Sequence, residues 1–240
     1  MPVFIVKKIP HSGSGRVFDG PWWSQVRCGC FYTAAVQKTG PSMRYLGPRY
    51  QNFLWIVSAD GISSHVTLLT TCQPMGPSLK EAAAFSLVEV RVTSAEFSPG
   101  AQSCFDPEEP TGGDLVWLGT ESRRILLFSA QDPDKSGQVA SVSVPASVVQ
   151  LRHHWDAMFV ALANGAVAIF KRNVDGAWDL NAPPTLVTLG DQPVLYLLPI
   201  GSSLYAACGR SVFVLDGNTA ETLVPFPCFL FETKNSQKKL

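Results

Sequence analysis

The chain has 240 residues and no net charge, with nineteen Lys and Arg against nineteen Asp and Glu. Hydrophobic residues make up 46% and charged residues 16%, which excludes a disordered solvating segment, since that needs low hydrophobicity and high charge. The neutral balance supplies no field to draw the chain to nucleic acid or anionic lipid, and nineteen glycines with eighteen prolines point to a core built from many short pieces.

At the start, Met1 to Val6 is apolar but Lys7 and Lys8 come at once after it, the reverse of the order in a secretory signal. Residues 1–45, with Gly and Ser at 12–15, Trp22-Trp23 and Cys28-Gly-Cys30, show no alternation that continues into the rest of the chain, and are set apart as a segment of their own. The six cysteines at 28, 30, 72, 104, 208 and 228 are scattered. Cys28-Gly-Cys30 has one residue between its thiols, too few for a zinc knuckle, and no second pair follows. Cys208 lies in an apolar alternating stretch and reads as a small buried residue. The longest apolar run, Pro193 to Cys208, is broken by Pro199, Gly201, Ser202 and Ser203, short of the roughly 18–20 residues that span a bilayer. No membrane span and a cytoplasmic location are expected.

From about residue 46 a pattern repeats four times. Leu54–Gly61 is followed by His65–Leu69, Val116–Ser122 by Arg124–Phe128, Met158–Gly165 by Ala166–Phe170, and Leu204–Gly209 by Ser211–Leu215. Each is an aromatic-led strand, a tight turn and a second strand. The leading aromatics Trp55, Trp117, Phe159 and Tyr205 are 62, 42 and 46 residues apart, and the last two intervals match the period of about 40–50 residues of propeller blades. Pro99 to Gly113 fills the long first interval and reads as an inserted surface loop. Asp60-Gly61 and Asn164-Gly165 predict two-residue type I′ turns, which need positive φ at both positions. Ser122-Arg123 stand where that pair would fall, so a different turn is expected there.

Further strands lie between the hairpins. Val148–Arg152 and Val194–Leu198 precede them, and Val139–Val144 and Leu186–Leu189 come after, giving four strands per repeat: an inner strand, two hairpin strands and an outer one. Ser78–Phe85 carries a capping-box pattern with Glu81 three residues after Ser78, while the repeat's register places an outer strand near Ala83 to Val88. The apolar inner strands suit packing between neighbouring blades. The prediction is an all-β β-propeller segment of about four blades in an incomplete ring, with blades over 46–225 and a polar tail over 226–240. No fifth repeat comes after Pro225–Phe231, so open faces at both ends, and poor solubility or association, are expected.

No catalytic, cofactor-binding or metal-binding residue is assigned. His153-His154 are adjacent on a strand, so their imidazoles face opposite sides and cannot share a metal. Asp106, Glu108, Glu109 and Asp114 form an acidic cluster in the inserted loop, with nothing to fix their geometry. Trp155-Asp156 and Trp178-Asp179 spell the dipeptide of one propeller family, but in a turn and a loop rather than after a second hairpin strand. Lys234, Lys238 and Lys239 make a small basic tail.

Asp114–Glu121, the phrase Val-Ala-Leu-Ala-Asn-Gly at 160–165, Ala168–Arg172, Asp175–Asp179 and Val187–Gly190 resemble the C-terminal WD40-like propeller of Rho guanine nucleotide exchange factors of the 10/17 type, nearest type 17. The same stretch is similar to the propeller of the JNK-interacting scaffold proteins. Leu54–Leu68 and Ser203–Gly209 lean to the exchange factors, and the resemblance covers roughly residues 50–225. It implies a non-catalytic module that binds proteins or restrains a catalytic domain. Those exchange factors carry a helical Dbl-homology domain and a pleckstrin-homology domain before the propeller. This chain has no long-helix pattern, so a Rho-family GTPase is implied as a partner only through the parent's catalytic domain.

Overall fold

The structure is a computed structural model that describes residues 25–36, 49–71, 79–102, 110–111, 113–217, 219 and 221–227. Its strands are β1 (Gln25–Val36), β2 (Arg49–Ala59), β3 (Ser64–Thr71), β4 (Leu79–Leu87), β5 (Val92–Ser98), β6 (Ala101–Gln102), β7 (Pro110–Thr111), β8 (Leu115–Thr120), β9 (Arg124–Ser129), β10 (Gln138–Ser143), β11 (Val148–His154), β12 (Ala157–Leu162), β13 (Ala166–Lys171), β14 (Thr185–Thr188), β15 (Val194–Ile200), β16 (Ser203–Cys208), β17 (Ser211–Asp216) and β18 (Thr222–Pro227). One helical turn, α1 (Pro133–Ser136), comes after β9.

Sixteen of the strands form four antiparallel sheets, in the orders β1-β2-β3-β4, β5-β8-β9-β10, β11-β12-β13-β14 and β15-β16-β17-β18. The first strand of each sheet packs on the first strand of the next, β1 on β5, β5 on β11 and β11 on β15. These are the inner strands of propeller blades. Among the described residues the sheets make an open arc of four blades, and β15 does not pack on β1 as consecutive inner strands do.

Three apolar clusters fill the three gaps between sheets. Alternation aims one face of each strand forward and the other back. Thus Trp55, Trp117 and Phe159, which pair with Cys30, Glu96 and Arg152 across the first hairpin of their sheets, are fully buried against the following sheet. Each contributes about 3 kcal/mol by burial. The ring nitrogens of the two tryptophans are satisfied from the inner strand. Trp117 Nε1 donates to Ser98 Oγ at 3.0 Å, and Trp55 Nε1 to Tyr32 Oη at 3.2 Å, whose hydroxyl donates to the Ala130 carbonyl.

The first sheet begins at Gln25, well before the expected blade boundary at 46, and the last strand runs past 225 to Pro227. Strand β1 does alternate: Cys28, Cys30, Tyr32 and Ala34 face the second sheet. Its small, soft inward residues and the outward Phe31 hide a period that larger aliphatics would show. All four inner strands carry a β-bulge at the same place, after Val26, Val92, Val148 and Val194. Each bulge slips the side-chain period by one, which further masks the alternation.

The hairpin turns differ from the two-residue expectation. Strand β12 ends at Leu162 and β13 starts at Ala166, leaving three residues, and β8 and β9 leave the same three-residue gap. Only the last of the three needs a left-handed backbone, and it is Gly165 at φ 81° in one and Arg123 at φ 62° in the other. The second repeat therefore has the same turn as the third, without its glycine. The Asp60–Ser63 turn has four residues, and the two-residue turn is Gly209-Arg210. Between β3 and β5, Leu79–Leu87 is a strand, as the repeat's register predicts. Residues 1–24 and 228–240, with the Trp22-Trp23 pair and the basic tail, and Cys72 and Cys104 lie outside the described residues.

Candidate interaction face

The turns that join β11 to β12 and β15 to β16, with the connection from β5 to β8, open on one face of the arc. The insertion there is a two-stranded ribbon of β6 and β7, and Asp106, Glu108 and Glu109 fall outside the described residues. Asp114 closes its base: one carboxylate oxygen accepts the Gly100 N–H at 2.8 Å and the other the Gln131 amide at 3.4 Å. Its role is structural.

Trp155-Asp156 form the two-residue turn between β11 and β12. Trp155 sits at φ 54° with 62% of its surface exposed. The matching position of the next sheet is Gly201 at φ 60°. A bulky residue held where its neighbour uses glycine costs about 1–2 kcal/mol, so the turn keeps an aromatic there at a loss. The indole N–H reaches the Gly201 carbonyl at 3.4 Å, and the ring stands edge-on to His154 at 5.8 Å. Strain of this kind concentrates at functional sites.

The two histidines point apart, as adjacent strand residues do. His153 faces the second sheet, with its ring 6.0 Å from Trp178, and His154 lies beside Gly217 on the fourth-sheet side. Burial holds His153 down at about 4, and the neighbouring Arg172 charge adds to this. Burial also lowers His154. Both Nε2 atoms are buried without a hydrogen-bond partner. Among the described residues no group of three His, Cys, Asp or Glu can hold a metal ion. Burial pushes the Cys28 thiol up to about 12 and raises Cys30 as well, so neither is a ready nucleophile. Cys208 is buried, with its thiol on the Gln192 carbonyl at 3.1 Å.

Trp178-Asp179 lie in the loop after β13. The Trp178 ring meets Trp117 edge-on at 5.0 Å and carries the Arg172 guanidinium 4.2 Å from its centroid. Arg172 also donates to the Gly176 carbonyl at 2.9 Å and to the Pro99 carbonyl. This stack ties the loop of the third sheet to the insertion of the second.

The inner strands are less apolar than the sequence suggests. Their free edges carry unpaired backbone groups, and each sheet sends side chains to cap those of the next. Ser94 Oγ accepts the Leu151 N–H at 3.0 Å, and Gln150 Oε1 the Leu197 N–H at 2.6 Å. One Glu96 oxygen accepts the His153 N–H at 3.2 Å while the other pairs with Arg152 at 3.0 Å. Burial raises the Glu96 carboxyl and the Arg152 charge opposes this. These polar groups satisfy one another, as hydrogen bonds that fix the step from sheet to sheet.

Radial four-stranded sheets, capped edge to edge and bearing a strained exposed aromatic on one mouth, define a propeller-type scaffold. The chain belongs to the WD40 repeated domain family, whose model matches residues 25–227. It is similar to the Rho guanine nucleotide exchange factor 10-like protein of Mus musculus, 29% identical over 184 residues, covering 73% of this chain and 14% of that protein. Rho guanine nucleotide exchange factor 10 of Homo sapiens is 28% identical over 177 residues, covering 70% and 13%. JNK-interacting protein 3 of Drosophila pseudoobscura pseudoobscura is 31% identical over 119 residues, covering 49% and 10%. The chain thus spans about 14% of the length of the exchange-factor relatives it matches. Among solved structures, BBS1N in complex with ARL6DN shares the fold at a TM-score of 0.50 and 17% identity, covering 72% of this chain and 51% of that one. No helix among the described residues is long and apolar enough to cross a membrane.

Proposed function

We propose that this chain is a non-catalytic protein-interaction module acting in Rho GTPase signalling in the cytoplasm, and that its binding face is the mouth that carries Trp155. The strained, exposed indole carries the reading: tryptophans ringed by polar groups are the residue type that most often anchors protein interfaces. Similarity to the exchange factors supports the Rho context. The domain adds partner binding or restraint to a parent protein, and nucleotide exchange belongs to a helical catalytic domain. Two measurements test this. Micromolar chain leaves fluorescent-GDP release from Rho-family GTPases at the uncatalysed rate, and release clearly above that rate refutes the non-catalytic part. Proximity labelling in cells enriches Rho-pathway proteins with the wild-type chain and loses them with Trp155→Gly; identical profiles refute the face. The match to JNK-interacting protein 3 over 119 residues favours a second reading, a kinase scaffold segment. Enrichment of JNK-pathway kinases in place of Rho regulators selects it.

A further inference from the structure

The register makes positions comparable from sheet to sheet. Leu198, paired with Tyr205, stands in the fourth sheet where Cys30, Glu96 and Arg152 stand in the first three. Cys30 and Glu96 reach the next sheet, and Arg152 holds the same register while its guanidinium turns to Glu96 of the second sheet. In the fourth sheet the same forward face carries Tyr196, Leu198 and Ile200, which are 50%, 43% and 54% exposed. It is apolar where the inner strands of the second and third sheets use Ser94, Glu96, Gln150 and Arg152. At the other end, the backward face of the first sheet carries Phe31, paired with Leu54. Its counterpart is Phe97, paired with Val116. Phe97 packs into the cluster between the first two sheets, while Phe31 is 63% exposed. The residue type and register are the same, and what differs is the sheet in front.

Among the described residues, one chain therefore carries an uncovered forward face and an uncovered backward face, at the positions that its interior steps bury three times. The two faces stand in the same register relation as the two sides of each interior step, and both are apolar and exposed. We propose that a second copy of this chain docks head to tail, with the backward face of its first sheet on the forward face of the fourth sheet, continuing the stacking of the arc. In the interior steps Ser94 meets the Leu151 amide and Gln150 the Leu197 amide. The next step in that series brings Tyr196 to Gly29 of the second copy, the residue that pairs with Ile56. An aromatic laid over a strand glycine is a recurrent packing device. Two copies would supply eight sheets, within the four to eight blades of closed propellers, so the head-to-tail contact can close on itself rather than run on as a fibre.

The test is sedimentation and light scattering on the full chain with two variants, Leu198→Glu on the forward face and Phe31→Glu on the backward face. Both sites are exposed, and a near-ultraviolet circular dichroism spectrum matching the wild type confirms that each variant folds. Tyr196→Lys replaces Leu198→Glu if the latter does not fold. Wild type is expected above the 26.0 kDa of one chain at tens of micromolar, and each variant alone is expected to dissociate at least tenfold more readily. An equimolar mixture of the two variants retains one intact forward and one intact backward face, and is expected to form heterodimers at twice the chain mass. A monomeric wild type overturns the proposal and leaves the faces to other partners. Variants that still self-associate, or a mixture that stays monomeric while the wild type associates, overturn it too, because they place the contact elsewhere.

Discussion

Substituting Gly165 by alanine separates two penalties that the turn imposes. Gly165 sits at φ 81°, where an L-residue is strained by about 1–2 kcal/mol. A Cβ built there stands 2.0 Å from the Gly190 carbonyl oxygen and 2.9 Å from that of Gln192. Those atoms belong to the connection between β14 and β15. That connection is held by the Leu189 and Gly190 amides on the Gly165 carbonyl, at 2.9 and 3.3 Å, and by the Cys208 thiol on Gln192. Backbone tied in this way cannot step aside as a flexible side chain can, so overpacking adds about 1–3 kcal/mol. Gly165→Ala should therefore cost about 2–5 kcal/mol. Gly61→Ala is the control: it has φ 108° but nothing within 4 Å of its Cβ, so it should cost the strain alone. Urea unfolding followed by tryptophan fluorescence reads both as shifts in midpoint at constant slope. Equal losses for the two variants would refute the crowding, and with it the close approach of the third hairpin to the entry of the fourth sheet.

Trp155→Gly should leave stability within about 1 kcal/mol of wild type, since relief of left-handed strain offsets the added freedom of the unfolded chain; a large fall in melting temperature would show that the indole is structural. Glu96→Ala strips the partner from both Arg152 and the His153 amide and should cost about 2–4 kcal/mol, while Glu96→Gln keeps an acceptor and should cost less, as measured by denaturant midpoint. His153 is held neutral, with its folded value of about 4 below the ordinary 6.5. The unfolded chain thus binds the extra proton between these values, and the histidine's share of stability is complete above pH 6.5 and is lost as pH falls from there through 4. His153→Gln should flatten that part of the stability profile, and a profile unchanged by the substitution would refute the burial argument.

The legible part of the sequence is the part that repeats. Trp55, Trp117 and Phe159 mark the second strand of the first three sheets because a large aromatic there fills the gap to the next sheet, and Tyr205 keeps that register in the fourth. The inner strand of the first sheet is hidden because Cys28, Cys30 and Ala34 do inside it what leucine and valine do elsewhere. The turn at Ser122-Arg123 escapes for a different reason. Glycine is the favoured residue at a left-handed position but not a required one, and Arg123 accepts the strain at a site where its side chain is free to leave for solvent. The capping of inner-strand amides by Ser94, Gln150 and Glu96 has no local signal at all, because donor and acceptor lie 57, 47 and 57 residues apart.

That long separation also bears on where function can reside. A sheet-to-sheet step needs a buried aromatic, an acceptor for the next inner-strand amide and little else, so most of the recurrent geometry of the arc serves stacking. The exceptions are positions at which one sheet departs from its neighbours without a packing reason. Where the lead aromatic is tryptophan, the facing inner-strand residue is a hydroxyl, Tyr32 or Ser98, that takes the indole N–H. Phe159 has no such proton, and the matching residue is His154, whose Nε2 is left without a partner. The very next residue is Trp155, strained and turned outward where the fourth sheet has Gly201. Two consecutive residues of the third sheet thus depart from their counterparts, His154 from the hydroxyls of the first two sheets and Trp155 from the glycine of the fourth. Both lie at the same mouth of the arc, and neither break improves the packing. Arg123 bears a like strain at the opposite mouth, but its side chain leaves for solvent and stands alone, whereas at Trp155 the strain and the orphaned His154 nitrogen adjoin, which is the ground on which the interaction face is proposed there.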